Sequence, residues 1–169
     1  MFGVGASEPG LLAFQRGAGP AYKVLPEEWR VPLGHWKIFN PKPIIDVFDA
    51  GGLGDAQLTH GVLGVGITGR FAKRKPVVNV DVGIDRWMFP TGRVGAIRLP
   101  VGWHGVWVTQ TRLGPNCGAV YVFAGQVTVL EYRPNWAGPP GGKFISEGTR
   151  VMGPEEFLGY RMRQGASDG

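Results

Sequence analysis

Glycine and proline divide this chain into many short segments, and this division limits the folds that are open to it. The 169 residues include 29 glycines and 14 prolines, scattered without the Gly-X-Y period of collagen. Glycine allows a positive φ and proline fixes φ, so both favour tight turns. The segments between them are short and are either apolar or alternating, which indicates strands.

The alternation expected of a half-buried strand is clearest in one run of valines. Val78, Val80 and Val82 would share one face of a strand, and the polar Asn79 and Asp81 would point the other way. The same reasoning gives ten candidate strands, at residues 22–25, 36–39, 44–48, 58–68, 77–84, 94–99, 104–111, 119–124, 127–132 and 143–145.

So many strands with almost no helix between them argue against βαβ units, whose parallel strands need long crossovers. The sequence therefore predicts an all-β fold, an antiparallel jelly-roll sandwich of about eight strands. One short helix is predicted near the C-terminal end. Pro154 would be its first residue, and Glu155 and Glu156 would lie in its first turn.

The chain is expected to have three parts. Residues 1–19 are rich in glycine and alanine and would form an N-terminal arm, residues 20–152 would form the sandwich, and residues 153–169 would form the short helix and a tail. A hydrophobic content of 43% suffices for one core. The single cysteine, Cys117, has no partner for an internal disulfide, so stability is expected from packing or subunit association.

The net charge of +5 favours anionic partners such as nucleic acid or a lipid surface, although a charge of this size also serves solubility. Arg70, Lys73, Arg74 and Lys75 form the one dense basic run, in a predicted loop between two strands. Two interpretations of this run stay open. It is either a surface that binds the phosphates of nucleic acid or lipid headgroups, or an ordinary solvated turn.

Six tryptophans are many for a chain of this length. Trp29, Trp36 and Trp136 lie near prolines in predicted loops, where a large ring would be costly to leave in water. Because tryptophan is enriched at the centres of protein interfaces, these three residues are expected to contact another subunit. Ordinary packing in the core is the other interpretation.

Motifs for catalysis or cofactor binding are weak. Gly64, Gly66 and Gly69 match the dinucleotide pattern G-x-G-x-x-G, but Pro76 follows too soon for the helix that this motif needs, so a glycine-bent strand is the better interpretation. No serine lies in a G-x-S-x-G elbow. We therefore expect no catalytic residue and no cofactor.

The three histidines, His35, His60 and His104, are isolated in the sequence, so no metal site is predicted. The turn Pro100-Val-Gly102-Trp-His104 nevertheless resembles the second motif of the cupins, a Pro-x-Gly-x-x-His turn that delivers a metal-binding histidine. In this chain the histidine follows the glycine by two residues rather than three, and the first cupin motif is absent. The resemblance implies that His104 binds a metal with one other histidine; the alternative is a turn histidine packed beside neighbouring tryptophans.

In length, composition and strand number, the whole chain resembles the small major capsid proteins of tailless icosahedral phages with an internal membrane, which infect thermophilic bacteria. The resemblance implies a virion shell subunit with a single jelly roll, assembled in the host cytoplasm and without enzymatic activity or a small-molecule substrate. It also implies a homo-oligomer, contact with a second capsid protein, and a basic face toward the membrane or the genome. A cupin-like metal enzyme and a nucleic-acid-binding β-barrel stay open as alternatives.

Overall fold

The computed structural model describes residues 13–16, 41–70, 72–83, 85–108, 116–134 and 142–167. These residues form ten strands, two short 3-10 helices and one α-helix. The strands are β1 (Ala13–Arg16), β2 (Lys42–Pro43), β3 (His60–Ile67), β4 (Val77–Val82), β5 (Asp85–Pro90), β6 (Gly95–Pro100), β7 (Gly102–Val108), β8 (Asn116–Val122), β9 (Val127–Pro134) and β10 (Gly142–Met152). The 3-10 helices span Gly54–Leu58 and Ala72–Arg74, and the α-helix, α1, spans Pro154–Ser167. None of these helices combines the length and the hydropathy that crossing a bilayer requires.

The strands form two sheets. Sheet I has six strands in the order β1-β8-β7-β4-β5-β2, and sheet II has four in the order β10-β9-β3-β6. The predicted all-β class and the short C-terminal helix are confirmed. The prediction that the strands pair only in an antiparallel direction is wrong, because β2 pairs with β5, and β3 with β9, in parallel. Alternating hydrophobicity identifies a strand but does not determine which neighbour it takes or in which direction that neighbour runs.

Two successive crossings join the sheets. β3 pairs with β6 in sheet II, and the strands that follow them, β4 and β7, pair in sheet I. The chain changes sheet between β6 and β7 within one residue, at a turn where Gly102 has a φ of +134°. Only glycine adopts such a φ without strain, so this glycine is required by the abrupt change of direction.

Strand β3 is buried on both faces. Leu63, Val65 and Ile67 belong to the core between the sheets, together with side chains of β4, β7, β8 and β9. Val62 faces the other way, into a second buried cluster that α1 covers through Phe157. The molecule therefore has three layers, with sheet II in the middle.

The glycines of β3 let α1 approach sheet II closely. A Cβ at Gly64 would lie 3.1 Å from Cε1 of Phe157, and a Cβ at Gly66 would lie 3.3 Å from Cγ2 of Val94. Gly64 and Gly66 lie within β3, and a 3-10 helix follows them in the chain before β4. The interpretation of the G-x-G-x-x-G match as glycines in a strand is confirmed for these two residues, which serve close packing.

Several elements differ from the prediction or are not tested by it. The predicted strand at 44–48 is wrong: this segment is a turn, because the Asp46 carboxylate accepts the N–H groups of Phe48 (3.0 Å) and Asp49 (3.2 Å). Strand β5 was not predicted from the sequence. The candidates at 22–25 and 36–39 lie outside the described residues. Within the predicted arm, residues 13–16 form β1, and the division into arm, sandwich and tail stays a prediction.

Candidate anion-binding surface

The basic run lies where the sequence predicts it, in the connection between β3 and β4. Lys73 and Arg74 end the 3-10 helix, and both are exposed, as are Arg70 and Lys75. The first residue of this helix, Ala72, is buried with 4% of its surface exposed. A buried alanine therefore fixes the loop on the sandwich while the four charged side chains face outward.

The far end of the loop is tied to the turn that follows β5. The Thr91 hydroxyl donates to the carbonyl of Lys75 (2.6 Å), and the Thr91 N–H donates to the carbonyl of Pro76 (3.0 Å). At the near end the Thr68 N–H donates to the carbonyl of Tyr132 in β9 (2.9 Å). These bonds hold the backbone of the basic loop at both ends, so the charges are presented from a defined position.

A fifth basic residue, Arg133, joins the loop from a distant part of the sequence. Because β9 runs parallel to β3, both strands end on the same side of sheet II. Arg133, near the end of β9, therefore lies close to Gly69 in the loop that follows β3. A Cβ at Gly69, where φ is +91°, would lie 2.6 Å from Cγ of Arg133. Only a glycine at this point leaves room for the arginine stem beside the loop.

Lys143 lies directly opposite Arg133 in the backbone register of the β9–β10 pair. We call the set of described basic side chains the basic end: Arg70, Lys73, Arg74, Lys75 and Arg133. The sequence reveals the first four, because they are close together in the chain. It gives no signal for Arg133, because its placement depends on the parallel pairing of β3 with β9.

Glu131 lies beside Arg133. It accepts a hydrogen bond from the Thr68 hydroxyl (2.6 Å), and its same oxygen, Oε2, lies 3.6 Å from Nη2 of Arg133. The Arg133 side chain is 49% exposed. A guanidinium has five N–H donors in a planar fork, so this one loose ion pair leaves most donors of Arg133 directed elsewhere. Arg133 can therefore donate to a further ligand.

The predicted tryptophan interface falls on residues that the structure does not describe. Trp29, Trp36 and Trp136 lie outside the described residues, so their contact with another subunit stays a prediction. The side chains of two other tryptophans are described. Trp87 packs against the core between the sheets, with Nζ of Lys42 5.9 Å from its ring centroid, and the Trp103 ring meets the Tyr121 ring edge-on at 5.2 Å.

Two of the three histidines lie beside Pro100, and His35 lies outside the described residues. His60 is opposite Pro100 in the β3–β6 pair, and its Nδ1 lies 2.8 Å from the Thr59 hydroxyl oxygen. His104 Nε2 lies 2.7 Å from the Pro100 carbonyl oxygen. A carbonyl oxygen only accepts, so Nε2 carries a proton and donates, and it is not a free metal ligand in this arrangement. Within the described ranges, no three His, Cys, Asp or Glu side chains are placed to hold a metal ion.

The acids Asp46 and Asp49 belong to an ionic cluster that holds α1. Their segment is a turn, and Arg161 reaches both carboxylates. Nη1 of Arg161 lies 2.5 Å from Asp46 Oδ2, and Nη2 lies 3.8 Å from Asp49 Oδ1. The side chain of Arg161 is only 6% exposed and that of Asp46 only 9%. This buried pair joins the C-terminal helix to the turn before β3.

Asp49 is itself paired with Arg93 on the surface. Nη1 and Nη2 of Arg93 lie 2.8 and 2.9 Å from the two carboxylate oxygens of Asp49. The hydrogen bonds from Arg93 lower the pKa of Asp49 below its ordinary value, and the same bonds raise the pKa of Arg93. The cluster of two acids and two arginines has a structural explanation, the docking of α1.

The fold and this surface together define a mixed β-sandwich with a covering helix and one strongly basic end. Comparison of the chain with models of known protein families, with curated proteins and with solved structures gives no match.

Proposed function

We propose that this protein is a non-enzymatic structural subunit that self-associates, and specifically a subunit of a virion shell. The observation that carries the proposal is the place of β1. This strand of four residues extends the edge of sheet I by pairing with β8, and it comes from the segment that the sequence predicts to be an arm. A strand at a sheet edge makes the same backbone hydrogen bonds whether it comes from its own chain or from another copy.

The connection between β1 and β2 is long enough for exchange between copies. Residues 17–41, which number twenty-five, separate the two strands. At roughly 3.3 Å per residue, such a segment can span about 80 Å when extended. The arm of one subunit can therefore reach the β8 edge of a neighbour, and a head-to-tail exchange of this kind builds rings or shells.

The opposite edge of the sandwich, at β6 of sheet II, is closed to such pairing. The Ala96 N–H donates to Asp46 Oδ2 (3.1 Å), and the Ala96 carbonyl accepts from the Val47 N–H (2.9 Å). Arg98 lies two residues further along the same edge, and its exposed charge opposes pairing. Pro100 follows on this edge. It has no N–H, and its carbonyl oxygen already accepts a hydrogen bond from His104. Pairing with another copy through the β6 edge is thus disfavoured.

The jelly roll is part of the proposal. The cross-pairing of β3 with β6 and of β4 with β7 in facing sheets is the kind of connection that a double Greek-key sandwich contains. The parallel pair of β3 with β9 departs from it. We propose that the sandwich is a jelly-roll variant in which the hairpin of β7 and β8 reverses the direction in which β9 enters sheet II.

A disulfide test separates exchange from pairing within one chain. Gln15 lies directly opposite Cys117, the single cysteine of the chain. Residues opposite each other in an antiparallel pair have Cα atoms about 4.5–5.5 Å apart, within the range that a disulfide bridges. After oxidation, Gln15→Cys is expected to give disulfide-linked dimers and longer chains on a non-reducing gel, which disappear on reduction.

The control is Arg16→Cys, whose partner across the β1–β8 pair is Asn116 rather than Cys117. It is expected to give little cross-linking under the same conditions. Light scattering of the unaltered protein at micromolar concentration is expected to show dimers or larger assemblies, and electron microscopy regular shells or capsomers. A strict monomer, with Gln15→Cys linked only within its own chain, would contradict the proposal.

A further inference from the structure

We propose that the basic end binds the sugar-phosphate backbone of double-stranded nucleic acid without reading its sequence. This inference does not depend on self-association, because every residue of the basic end comes from one chain. The structure extends the contiguous run of Arg70, Lys73, Arg74 and Lys75 to a two-segment surface by placing Arg133 beside Gly69.

The chemistry of the basic end matches phosphodiesters. Three of its residues are arginines, Arg70, Arg74 and Arg133, and the planar guanidinium fork pairs with two phosphate oxygens at once. Lys73 and Lys75 add point charges on long stems. The backbone beneath them is fixed by buried Ala72, so the charges are arranged before the ligand arrives and less ordering is needed on binding.

A duplex fits the basic end better than a membrane or a single strand. Val77 is 37% exposed beside the loop, and Ala72 is buried, so the described apolar side chains there offer little to insert among acyl chains. Single-strand binding relies on aromatic rings on which bases stack, whereas the five side chains of the basic end supply charge and no ring. Contacts made by charge alone favour the ligand with the densest phosphates, and duplex DNA carries one charge per roughly 1.7 Å of its axis.

The salt dependence of binding tests this directly. We would titrate the full chain into a fluorescent 20-base-pair DNA duplex and follow anisotropy between 50 and 200 mM salt. If about five phosphates are contacted, log K should fall with log salt concentration with a slope of roughly −4.5, which corresponds to about a 500-fold loss of affinity over this range. Affinity in the non-specific range, with Kd about 10⁻⁴ to 10⁻⁶ M, is expected at physiological salt.

Arg133→Gln is the decisive variant, because Arg133 is the member of the basic end that lies far away in the sequence. It should weaken binding and make the slope shallower by about 0.9, the contribution of one contact. Glu131→Gln should do the opposite and tighten binding, since it removes the acid beside Arg133. Circular dichroism of both variants checks that the sandwich is intact.

Arg98→Gln is the matched control. Arg98 is also an exposed arginine on sheet II. It lies opposite Val62, near the start of β3, whereas the basic end lies past the last residue of β3. The control changes net charge by the same amount and should leave affinity and slope unchanged. Equal losses in Arg98→Gln and Arg133→Gln would overturn the site, because binding would then follow total charge.

Two further results would also overturn the proposal. One is the absence of duplex binding at 50 mM salt with protein up to 100-fold above the expected Kd. The other is stronger binding to phosphatidylserine vesicles than to duplex at equal phosphate concentration, which would assign the basic end to a membrane. A failure here leaves the disulfide test of self-association unaffected, since that test probes residues on β1 and β8.

Discussion

The buried ion pair between Arg161 and Asp46 should control how firmly α1 is held on sheet II. Arg161 donates to Asp46 and to the carbonyl of Val94 (3.2 Å), and its guanidinium lies 5.8 and 5.3 Å from the ring centroids of Phe48 and Phe157. Arg161→Ala removes all of these contacts together. It also leaves the Asp46 carboxylate in place with much less compensation for its loss of water.

The expected cost follows from this environment. Removing one partner of a buried pair destabilises by about 3–5 kcal/mol, because the remaining charge is uncompensated. Asp46 retains hydrogen bonds from backbone N–H groups at Phe48, Asp49 and Ala96, which favours the lower part of that range. We therefore expect Arg161→Ala to lower the free energy of unfolding by about 3–4 kcal/mol, or Tm by roughly 6–16 °C for a domain of this size.

The assay is urea unfolding followed by circular dichroism, with a double-mutant cycle. Arg163→Ala, an exposed arginine on the same helix, should cost less than about 1 kcal/mol. Asp46→Ala combined with Arg161→Ala should cost clearly less than the sum of the single changes, since neither charge is then left alone. A loss below about 1 kcal/mol for Arg161→Ala, or additive costs, would refute the reasoning.

Two further perturbations test the packing and the surface charges. Gly64→Ala should destabilise by about 1–3 kcal/mol in the same urea assay, because its Cβ would crowd the Phe157 ring, whereas Gly92→Ala, with open space around its Cβ, should be near neutral. The Asp49 pKa is lowered in the folded state by Arg93, so the stability it contributes is present above its ordinary value of 3.8 and is lost as the pH falls through the lowered pKa. Asp49→Asn should therefore flatten the stability profile in that acidic window, and an unchanged profile would show that the pair contributes nothing.

Local patterns predict the regular elements of this chain well. The alternating valines of β4 have one face in the core between the sheets, as the sequence indicates, and Pro154 begins α1 with two acids in its first turn. β5 is missed because Asp85–Pro90 mixes charged, aromatic and apolar residues without clean alternation. The apolar segment at 44–48 is misread because its shape depends on a carboxylate that bonds to its own backbone.

The surface is harder to predict than the strands. Four basic residues are visible because they are neighbours in the chain, but Arg133 joins them only through a parallel pairing between strands about sixty residues apart. Non-local pairing of this kind is determined by the packing of the whole sandwich, and short-range periodicity carries no information about it. The same limit applies to His60 and His104, which approach one proline from two different strands.

The layer that α1 adds to sheet II has a consequence for biosynthesis. α1 follows the ten described strands in chain order. During synthesis, the buried side chains of Val62, Ala96 and Val129 are therefore made before the helix that covers them. One face of this cluster therefore stays uncovered until α1, which contributes Phe157, has left the ribosome and docked. Chaperone engagement, if this nascent chain needs it, should therefore concentrate on sheet II late in synthesis and end when the arginine reaches its carboxylate.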